Sequence, residues 1–272
     1  MLRFIRFPPK KNLKTEKRMA EYPPFTELEV YCKATECGIG DKLYASVLIG
    51  DLQEAAEQSS YTLGYGTDFL KENNICWIIL RMHIEIDRLP EWHERFKIRT
   101  WTTGLEKIYY GREFEIYDSE GNRIGKASST WILADWNTHR PVIANKRPEL
   151  PPAVVQSPEF VFGESCPKIS FPDKSVIAES SDKPVIKKYA DYTELDRNRH
   201  VNNSRYTAWA YDALFKSGYD VSAVRSISIM YNSEVKQGEK VELYIAETNG
   251  KIAVYGYKDE DTKVFAAELS LG

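Results

Sequence analysis

One pattern, a helix followed by long strands, occurs twice in this chain of 272 residues, and this duplication constrains the fold most. Helical spacing of apolar residues covers 43–64 and again 202–217. Strand-like sequence follows each helix, with a hairpin turn at 119–122 in the first copy and at 259–261 in the second. Self-similarity of this length indicates a duplicated unit. We therefore predict an α+β fold in which each unit packs one long helix against a strongly curved antiparallel sheet.

The chain divides into four predicted parts. Residues 21–150 and 183–272 hold the two units, and the proline-rich stretch 151–182 is predicted to link them. Residues 1–20 are expected to form a disordered basic tail, because 1–18 carry seven basic side chains and one acidic side chain. A tail, or a translation start placed too early, is favoured over a targeting peptide, since the segment is poor in serine and lacks a long apolar core.

Charge and composition exclude several classes of function. Without its first 18 residues the chain has nine more acidic than basic side chains, which disfavours binding to nucleic acid. No apolar run approaches the roughly 20 residues that span a bilayer, so we expect no membrane segment. The four cysteines form no CxxC pair and have no histidine at zinc-ligand spacing. They are expected to be reduced thiols in a cytoplasmic protein that needs neither a metal nor another cofactor.

The segment LDRNRHVNNSRY, which begins at Leu195, carries the strongest chemical pattern. An acid, an amide and an imidazole occupy alternate positions: Asp196, Asn198 and His200. In an extended segment these three side chains would project to one side, and Arg197 and Arg199 to the other. A carboxylate or an imidazole can activate water and an amide can orient it, so the pattern is typical of a hydrolytic site.

The two asparagines that follow predict the start of the second helix. Asn202 or Asn203 can cap this helix, and the free N–H groups near residues 201–203 can then stabilise an oxyanion. Asp and Asn are also common in turns for purely local hydrogen bonding. The corresponding approach to the first helix, DKLYASVLIGDLQE, contains neither Asn nor His, which favours a functional role for the second copy.

The same segment closely resembles the D-x-N-x-H-V-N-N-x-x-Y signature of acyl-ACP thioesterases, which release a fatty acid from acyl carrier protein (ACP). The stretches DLQEAAEQSSYTLG, NICWIILRMHIEIDRLPEW and KASSTWILADWNTHRP resemble the first half of that family, in the same order. The resemblance runs from about Thr26 to the C-terminus. It implies two hotdog domains in tandem, each a long central helix wrapped by an antiparallel sheet, and therefore agrees with the duplication.

The resemblance also implies which side chains are catalytic. The implied set is Asp196, Asn198, His200 and, on the strand after the second helix, Glu234. Many plant members of the family have a cysteine directly after that glutamate, whereas this chain has Val235. A cysteine nucleophile at that position is therefore excluded.

The implied reaction is hydrolysis of the acyl-ACP thioester to a free fatty acid and ACP, which ends chain elongation. In one version the carboxylates of Asp196 and Glu234 hold a water molecule and one of them takes its proton. The Asn198 amide then orients the water, and His200 orients the site or protonates the leaving thiolate. In the other version Asp196 attacks the thioester and forms an acyl anhydride. The sequence leaves both versions open.

A tunnel for the acyl chain is implied in the first half. Its predicted wall comes from the first helix and the strand after it: Leu52, Ala55, Ala56, Ser59 and Trp77. An apolar stripe on a central helix is also typical of plain core. Docking of the acidic ACP needs a local basic patch. The predicted patch is Arg197, Arg199 and Arg205, with Lys187 and Lys188 as further candidates and solvated surface charge as the alternative.

Three other interpretations stay open at this point. An acyl-CoA thioesterase with the same fold would take a different thioester, and a hydratase or dehydratase would use a similar Asp–His pair. A non-catalytic acyl sensor would not need the polar set. The intact HVNN segment and Glu234 favour a hydrolase. The sequence leaves acyl chain length, saturation and oligomeric state undetermined, with a homodimer as one alternative.

Overall fold

The computed structural model describes residues 22–143, 155–178, 184–248 and 250–272. The predicted basic tail at 1–20 lies outside these ranges, as do both ends of the predicted linker. The domain boundaries drawn from the sequence therefore stay predictions. Within the described ranges, no helix is both long enough and apolar enough to cross a membrane.

Both copies contain one long helix and five strands. The first copy consists of β1 (Thr26–Tyr31), α1 (Ala45–Thr62), α2 (Thr67–Glu72), β2 (Ile75–Ile86), β3 (Arg95–Glu106), β4 (Tyr109–Asp118) and β5 (Arg123–Asp135). The connection holds α3 (Lys174–Ala178), and the second copy consists of β6 (Ile186–Tyr189), α4 (Asn203–Lys216), β7 (Val224–Tyr231), β8 (Lys240–Thr248), β9 (Lys251–Lys258) and β10 (Thr262–Leu271). The two long helices and both hairpin turns were predicted, whereas β1, β6, α2 and α3 were not.

The ends of the two long helices follow from local sequence. Asn202 precedes α4, and its side-chain oxygen accepts the Ser204 backbone N–H at 2.9 Å, as expected of a helix cap. Both helices end two residues before a glycine in the left-handed region, Gly64 with φ 80° and Gly218 with φ 86°. A residue with a β-carbon rarely adopts this conformation, so glycine stops both helices.

The ten strands form one sheet. Counted from the sheet centre outwards, the strands of the two halves follow the same order. The order is β1-β3-β4-β5-β2-β7-β10-β9-β8-β6, and all pairs are antiparallel. Each half therefore places its five strands in the same relative order. This arrangement confirms the predicted duplication.

The two halves share a sheet and a core. β2 pairs with β7 over five residues, from Arg81 opposite Met230 to Glu85 opposite Ser226. Helices α1 and α4 contact each other, and buried side chains from both halves form one apolar cluster. The halves are thus joined by backbone hydrogen bonds as well as by side-chain packing.

The connection between the halves is packed against the sheet. The Trp101 indole N–H donates to the Glu159 carbonyl at 2.9 Å, and the Arg81 Nε donates to the Cys166 carbonyl at 2.9 Å. Further along, Phe171 stacks on Tyr255 with ring centroids 5.8 Å apart. These contacts involve both halves, so residues 155–178 are a strap along the sheet rather than a free linker.

Candidate active site

The segment that precedes α4 is a tight turn. The Asp196 N–H donates to the His200 carbonyl at 2.8 Å, and the Arg199 N–H donates to the Asp196 carbonyl at 3.0 Å. Arg199 has a left-handed backbone, with φ 65°. The extended conformation expected for 195–200 is therefore wrong. Its cause is local: Asp196 Oδ1 accepts the backbone N–H groups of Asn198 and His200, at 2.7 and 3.3 Å, and this favours a turn.

Glu234 lies three residues past the end of β7, in a loop, and not on the strand where we expected it. Strand β7 ends at Tyr231, so the backbone has already left the sheet when it reaches Glu234. The loop is tied to the turn by the Val201 N–H, which donates to the Val235 carbonyl at 2.9 Å. Glu234 Oε2 consequently lies 3.4 Å from His200 Nε2.

His139 is a site residue that sequence reasoning missed. Its Nδ1 lies 3.0 Å from Glu234 Oε1, so the two oxygens of this carboxylate face two different imidazoles. The ring centroids of His139 and His200 are 6.1 Å apart, with planes at 84°. The available signal was a histidine in KASSTWILADWNTHRP, one of four in the chain. The sequence does not reveal that this first-half turn reaches the second-half site.

A cleft of about 850 Å³ lies between the two halves at this point. Its wall includes all four predicted catalytic side chains: Asp196, Asn198, His200 and Glu234. The opposite wall belongs to the first half and includes Gln53, Glu57, Thr67, Trp77 and Trp131. A smaller cavity of about 80 Å³ adjoins the cleft, since Gln53, Glu57, Trp77 and Trp131 line both.

The five predicted tunnel residues are divided between cavity wall and core. Trp77 lines both cavities and Ala56 lines the smaller one. Leu52 and Ala55 are packed in the apolar core, and Ser59 is buried with its hydroxyl 3.4 Å from Gln156 Oε1. None of these last three lines either cavity, because they occupy the side of α1 that faces the interior.

Arg197 and Arg199, which we expected on the face opposite the site, lie beside the site. Arg197 and Arg199 both line the cleft, because the turn curls their backbone towards it. Arg197 Nη2 donates to Thr67 Oγ1 at 3.3 Å, and its side chain is 68% exposed. Arg205 is exposed on the first turn of α4, where Nη2 donates to the Thr193 carbonyl. The two lysines named as further candidates are ion-paired, Lys187 with Glu242 and Lys188 with Asp212.

Cys76 is the cysteine that lines the cleft. Burial, assisted by the negative charge of Glu234, raises the pKa of its thiol to about 11. The thiol is therefore protonated at neutral pH and is a poor nucleophile. Val235 is fully buried next to Glu234. Among the described residues, no group of three or more His, Cys, Asp or Glu side chains could hold a metal ion.

The first half contains a turn with the same backbone hydrogen bonds. The Gly38 N–H donates to the Lys42 carbonyl at 2.8 Å, and the Asp41 N–H donates to the Gly38 carbonyl at 3.2 Å. Asp41 has φ 57°, close to the value at Arg199. The isolated bridges Cys37–Leu43 and Leu195–Val201 close the two turns. Gly38, Gly40 and Lys42 thus occupy the positions of Asp196, Asn198 and His200.

The loop that holds Glu234 also has a counterpart. The Leu43 N–H donates to the Pro90 carbonyl at 2.8 Å, as the Val201 N–H does to that of Val235. Leu89, before Pro90, therefore corresponds to Glu234. The backbone frame forms without any of the four polar side chains. Asp196 does stabilise its own turn, but the presence of Asn198, His200 and Glu234 is not explained by the needs of the frame.

Comparison with known proteins identifies the family. The acyl-ACP thioesterase N-terminal domain matches residues 29–146, and the acyl-ACP thioesterase C-terminal domain matches residues 177–266. Oleoyl-acyl carrier protein thioesterase 2 of Arabidopsis thaliana is 27% identical over 239 residues, which are 81% of this chain and 62% of that protein. A palmitoyl-acyl carrier protein thioesterase of Gossypium hirsutum is 29% identical over 190 residues, 66% of this chain and 45% of that protein. Both curated relatives are chloroplastic, and the chain spans less than two thirds of their length.

Solved structures show the same fold. An acyl-ACP thioesterase from Bacteroides thetaiotaomicron superposes with a TM-score of 0.75 at 22% identity, over 95% of this chain and 99% of that one. The 12:0-ACP thioesterase from Umbellularia californica gives 0.71 at 18% identity, over 92% and 98%. These likenesses confirm the tandem hotdog fold. With both domains of the family present in order, the chain belongs to the acyl-ACP thioesterase family.

Proposed function

We propose that the protein hydrolyses the thioester of acyl-ACP, releasing a free fatty acid and the carrier. One observation carries this proposal. Acid, amide, imidazole and carboxylate meet in one cleft on a turn and a loop whose first-half counterparts have Gly38, Gly40, Lys42 and Leu89. Family membership supplies the reaction class.

The side chains allow a direct attack by water. Asp196 Oδ1 holds the turn together, whereas Oδ2 takes no part in those bonds and is placed to accept a proton from water. The Asn198 amide is exposed at the cleft and orients that water. His200, beside Glu234, delivers a proton to the leaving pantetheine sulfur. Each of these steps uses a group within the same cleft.

Most of the backbone N–H groups at the start of α4 already have hydrogen-bond acceptors, so fewer are free for an oxyanion than we expected. The N–H groups of Val201 and Asn202 already donate to the carbonyls of Val235 and Glu194. The Ser204 N–H donates to the Asn202 cap. Asn203 N–H donates to none of the described backbone acceptors and lies at the positive end of α4. It is the oxyanion donor in this proposal.

Covalent attack by Asp196 is the competing route. Oδ2 would then attack the thioester carbon, expel the thiolate and leave an acyl anhydride that water hydrolyses. Single turnovers in ¹⁸O-water can reveal the covalent route, because ¹⁸O enters Asp196 only if an anhydride forms and water attacks its aspartyl carbon. Label found in Asp196 by peptide mass spectrometry would rule out direct attack by water. Label confined to the fatty acid is the result expected here.

The cavities suggest how the substrate is placed. The acyl chain runs from the cleft into the first half, past Trp77 and Ala56. The exposed side chains of Arg197 and Arg199 line the cleft, that of Arg205 is exposed on the first turn of α4, and the three attract the acidic carrier. A cytoplasmic location and a homodimer remain predictions.

The test is a direct comparison of two thioesters on the purified full chain. Thiol release is measured with matched acyl-ACP and acyl-CoA at several chain lengths. We expect kcat/KM to be higher for acyl-ACP and to fall steeply with added salt, because docking is electrostatic. Preference for acyl-CoA would overturn the carrier assignment, and no hydrolysis of any acyl thioester would overturn the proposed function itself.

A further inference from the structure

We propose that His139 is a positioning residue that the first half supplies to the second-half active site. The inference rests on the proposed function and assigns it a further residue. Its role is to hold the Glu234 carboxylate so that one oxygen stays directed at His200. The active site is then built from both halves of the chain.

Each oxygen of the Glu234 carboxylate has its own imidazole neighbour. His139 Nδ1 lies 3.0 Å from Oε1, and His200 Nε2 lies 3.4 Å from Oε2. With an imidazole against each oxygen, rotation of the carboxylate breaks at least one of the two contacts.

Glu234 needs such a partner more than a core side chain would. It lies in a loop outside the regular strands, and its side chain is 44% exposed. A long side chain at such a position keeps much of its rotational freedom, which costs free energy when a reaction requires one rotamer. His200 alone supplies a single, rather long contact. A second imidazole against the other oxygen reduces that freedom before the substrate arrives.

The turn that carries His139 is itself well fixed. Asp135 Oδ1 accepts the backbone N–H groups of Asn137 and Thr138, at 3.1 and 2.9 Å. Asp135 Oδ2 accepts from the Asn74 side chain at 3.0 Å, and the Asp135 carbonyl accepts the His139 N–H at 2.9 Å. These bonds anchor the turn to the sheet. The His139 imidazole is thus held on a rigid support.

The backbone of His139 offers a matched pair of variants. Its φ is 52°, in the left-handed region, which Asn and Asp tolerate better than most residues. The Asn side-chain amide can donate from near the position of Nδ1, whereas an Asp carboxylate cannot donate and repels Glu234. His139→Asn and His139→Asp therefore test the contact with Glu234 at constant backbone preference and similar size.

Kinetics on acyl-ACP give the first readout. His139→Asp is expected to lower kcat by about 10- to 100-fold, the range for losing a polar contact to a charged group, with KM changed by less than about threefold. His139→Asn is expected to stay within about threefold of wild type. In a Glu234→Ala background, His139→Asp should cause no further loss. Equal losses in the Asn and Asp variants, or an undiminished loss in the Glu234→Ala background, would overturn the proposal.

Nuclear magnetic resonance of the ring nitrogens gives a second readout that needs no catalysis. The chain has four histidines, and two of them, His83 and His93, lie away from Glu234 in contact with Ser228 and Tyr31. In ¹⁵N-histidine protein, Glu234→Ala should shift the Nδ1 signal of His139 and the Nε2 signal of His200. His83 and His93 should not move. An unmoved His139 refutes the contact even if the enzyme proves to act on another substrate, so the two failures are distinguishable.

Discussion

Lys42 occupies in the first half the position that His200 occupies in the second. Each carbonyl accepts a hydrogen bond across its own turn at 2.8 Å, from Gly38 in one case and from Asp196 in the other. The same frame therefore carries a half-buried lysine paired with Glu91 in one copy and an imidazole beside a carboxylate in the other. This pairing gives each substitution at the active turn a control within the same molecule.

The first prediction uses that control. His200→Ala should lower kcat for acyl-ACP by about 10²- to 10⁴-fold, the usual contribution of a general acid or base. Lys42→Ala should leave kcat within about twofold, because it removes a surface ion pair with Glu91. Steady-state kinetics with both variants check this. A comparable loss in Lys42→Ala would mean that the frame, and not the imidazole, limits turnover.

The second prediction separates the two roles of Asp196. In Asp196→Asn an amide oxygen can still accept the backbone N–H groups of Asn198 and His200, so the turn should persist. The charge and the basic oxygen are lost, and kcat should fall at least about 10²-fold. Asp196→Ala should lose both activity and some thermal stability. Melting temperatures measured beside kcat test this, and near-normal turnover in Asp196→Asn would remove Asp196 from the catalytic set.

The third prediction concerns acyl chain length. Ala56 lines the smaller cavity, whose volume is about 80 Å³, so the larger side chain in Ala56→Trp should fill it. We expect products to shift to shorter fatty acids, measured by gas chromatography after expression in a host that makes fatty acids. Retained activity on short acyl-ACP is the internal control for folding. An unchanged product profile would show that the acyl chain does not occupy the smaller cavity.

The fourth prediction follows from the protonated thiol in the cleft. Because the pKa of Cys76 is raised to about 11, iodoacetamide at pH 7 should modify this residue slowly and leave activity largely intact. Cys76→Ser should keep kcat within about threefold. Peptide mass spectrometry after timed alkylation reports the rate at each cysteine. Rapid inactivation that Cys76→Ser prevents would show a reactive thiolate at the site.

The fifth prediction is a pH dependence of stability. Burial raises the pKa of Asp51 from 3.8 to about 7, and its Oδ2 has no hydrogen-bond partner among the described residues. Between pH 3.8 and about pH 7 the Asp51 carboxyl is ionised in the unfolded chain but still protonated in the folded chain. This carboxyl therefore favours folding at low pH and loses that effect as pH rises towards about 7. Asp51→Asn removes the titration.

The melting temperatures of wild type and Asp51→Asn from pH 4 to 8.5 measure this effect. The variant should gain stability relative to wild type as pH rises, levelling above pH 7 at about 4 kcal/mol, which corresponds to about 10 °C. A difference that stays constant across the range would show that Asp51 does not titrate as its burial implies.

Local sequence predicted the elements better than it predicted the site. Asn202 does cap α4, and the hairpin turns fall at the predicted residues, because caps and turns depend on nearby side chains. The extended reading of 195–200 was wrong for a related reason. Asp196 has the local bonding capacity that makes a turn, and periodicity alone does not weigh it against an extended strand.

Other features depend on contacts that no local pattern contains. His139 and Glu234 are far apart in sequence and meet because β5, β2 and β7 are neighbours in the sheet. The strap at 155–178 looked like a linker, since proline content does not reveal which surface a segment covers. Leu52 and Ala56 share a helix face in projection and both belong to the apolar core, yet of the two only Ala56 also lines a cavity.

The pairing of β2 with β7 has a mechanical consequence. If only a flexible connection joined the two hotdog units, the units could move apart and together. A long acyl chain could then enter while they were apart. Here a backbone ladder and a common core make them one stiff body. Substrate entry and product exit therefore use the cleft between the halves as it stands, with no hinge motion between them.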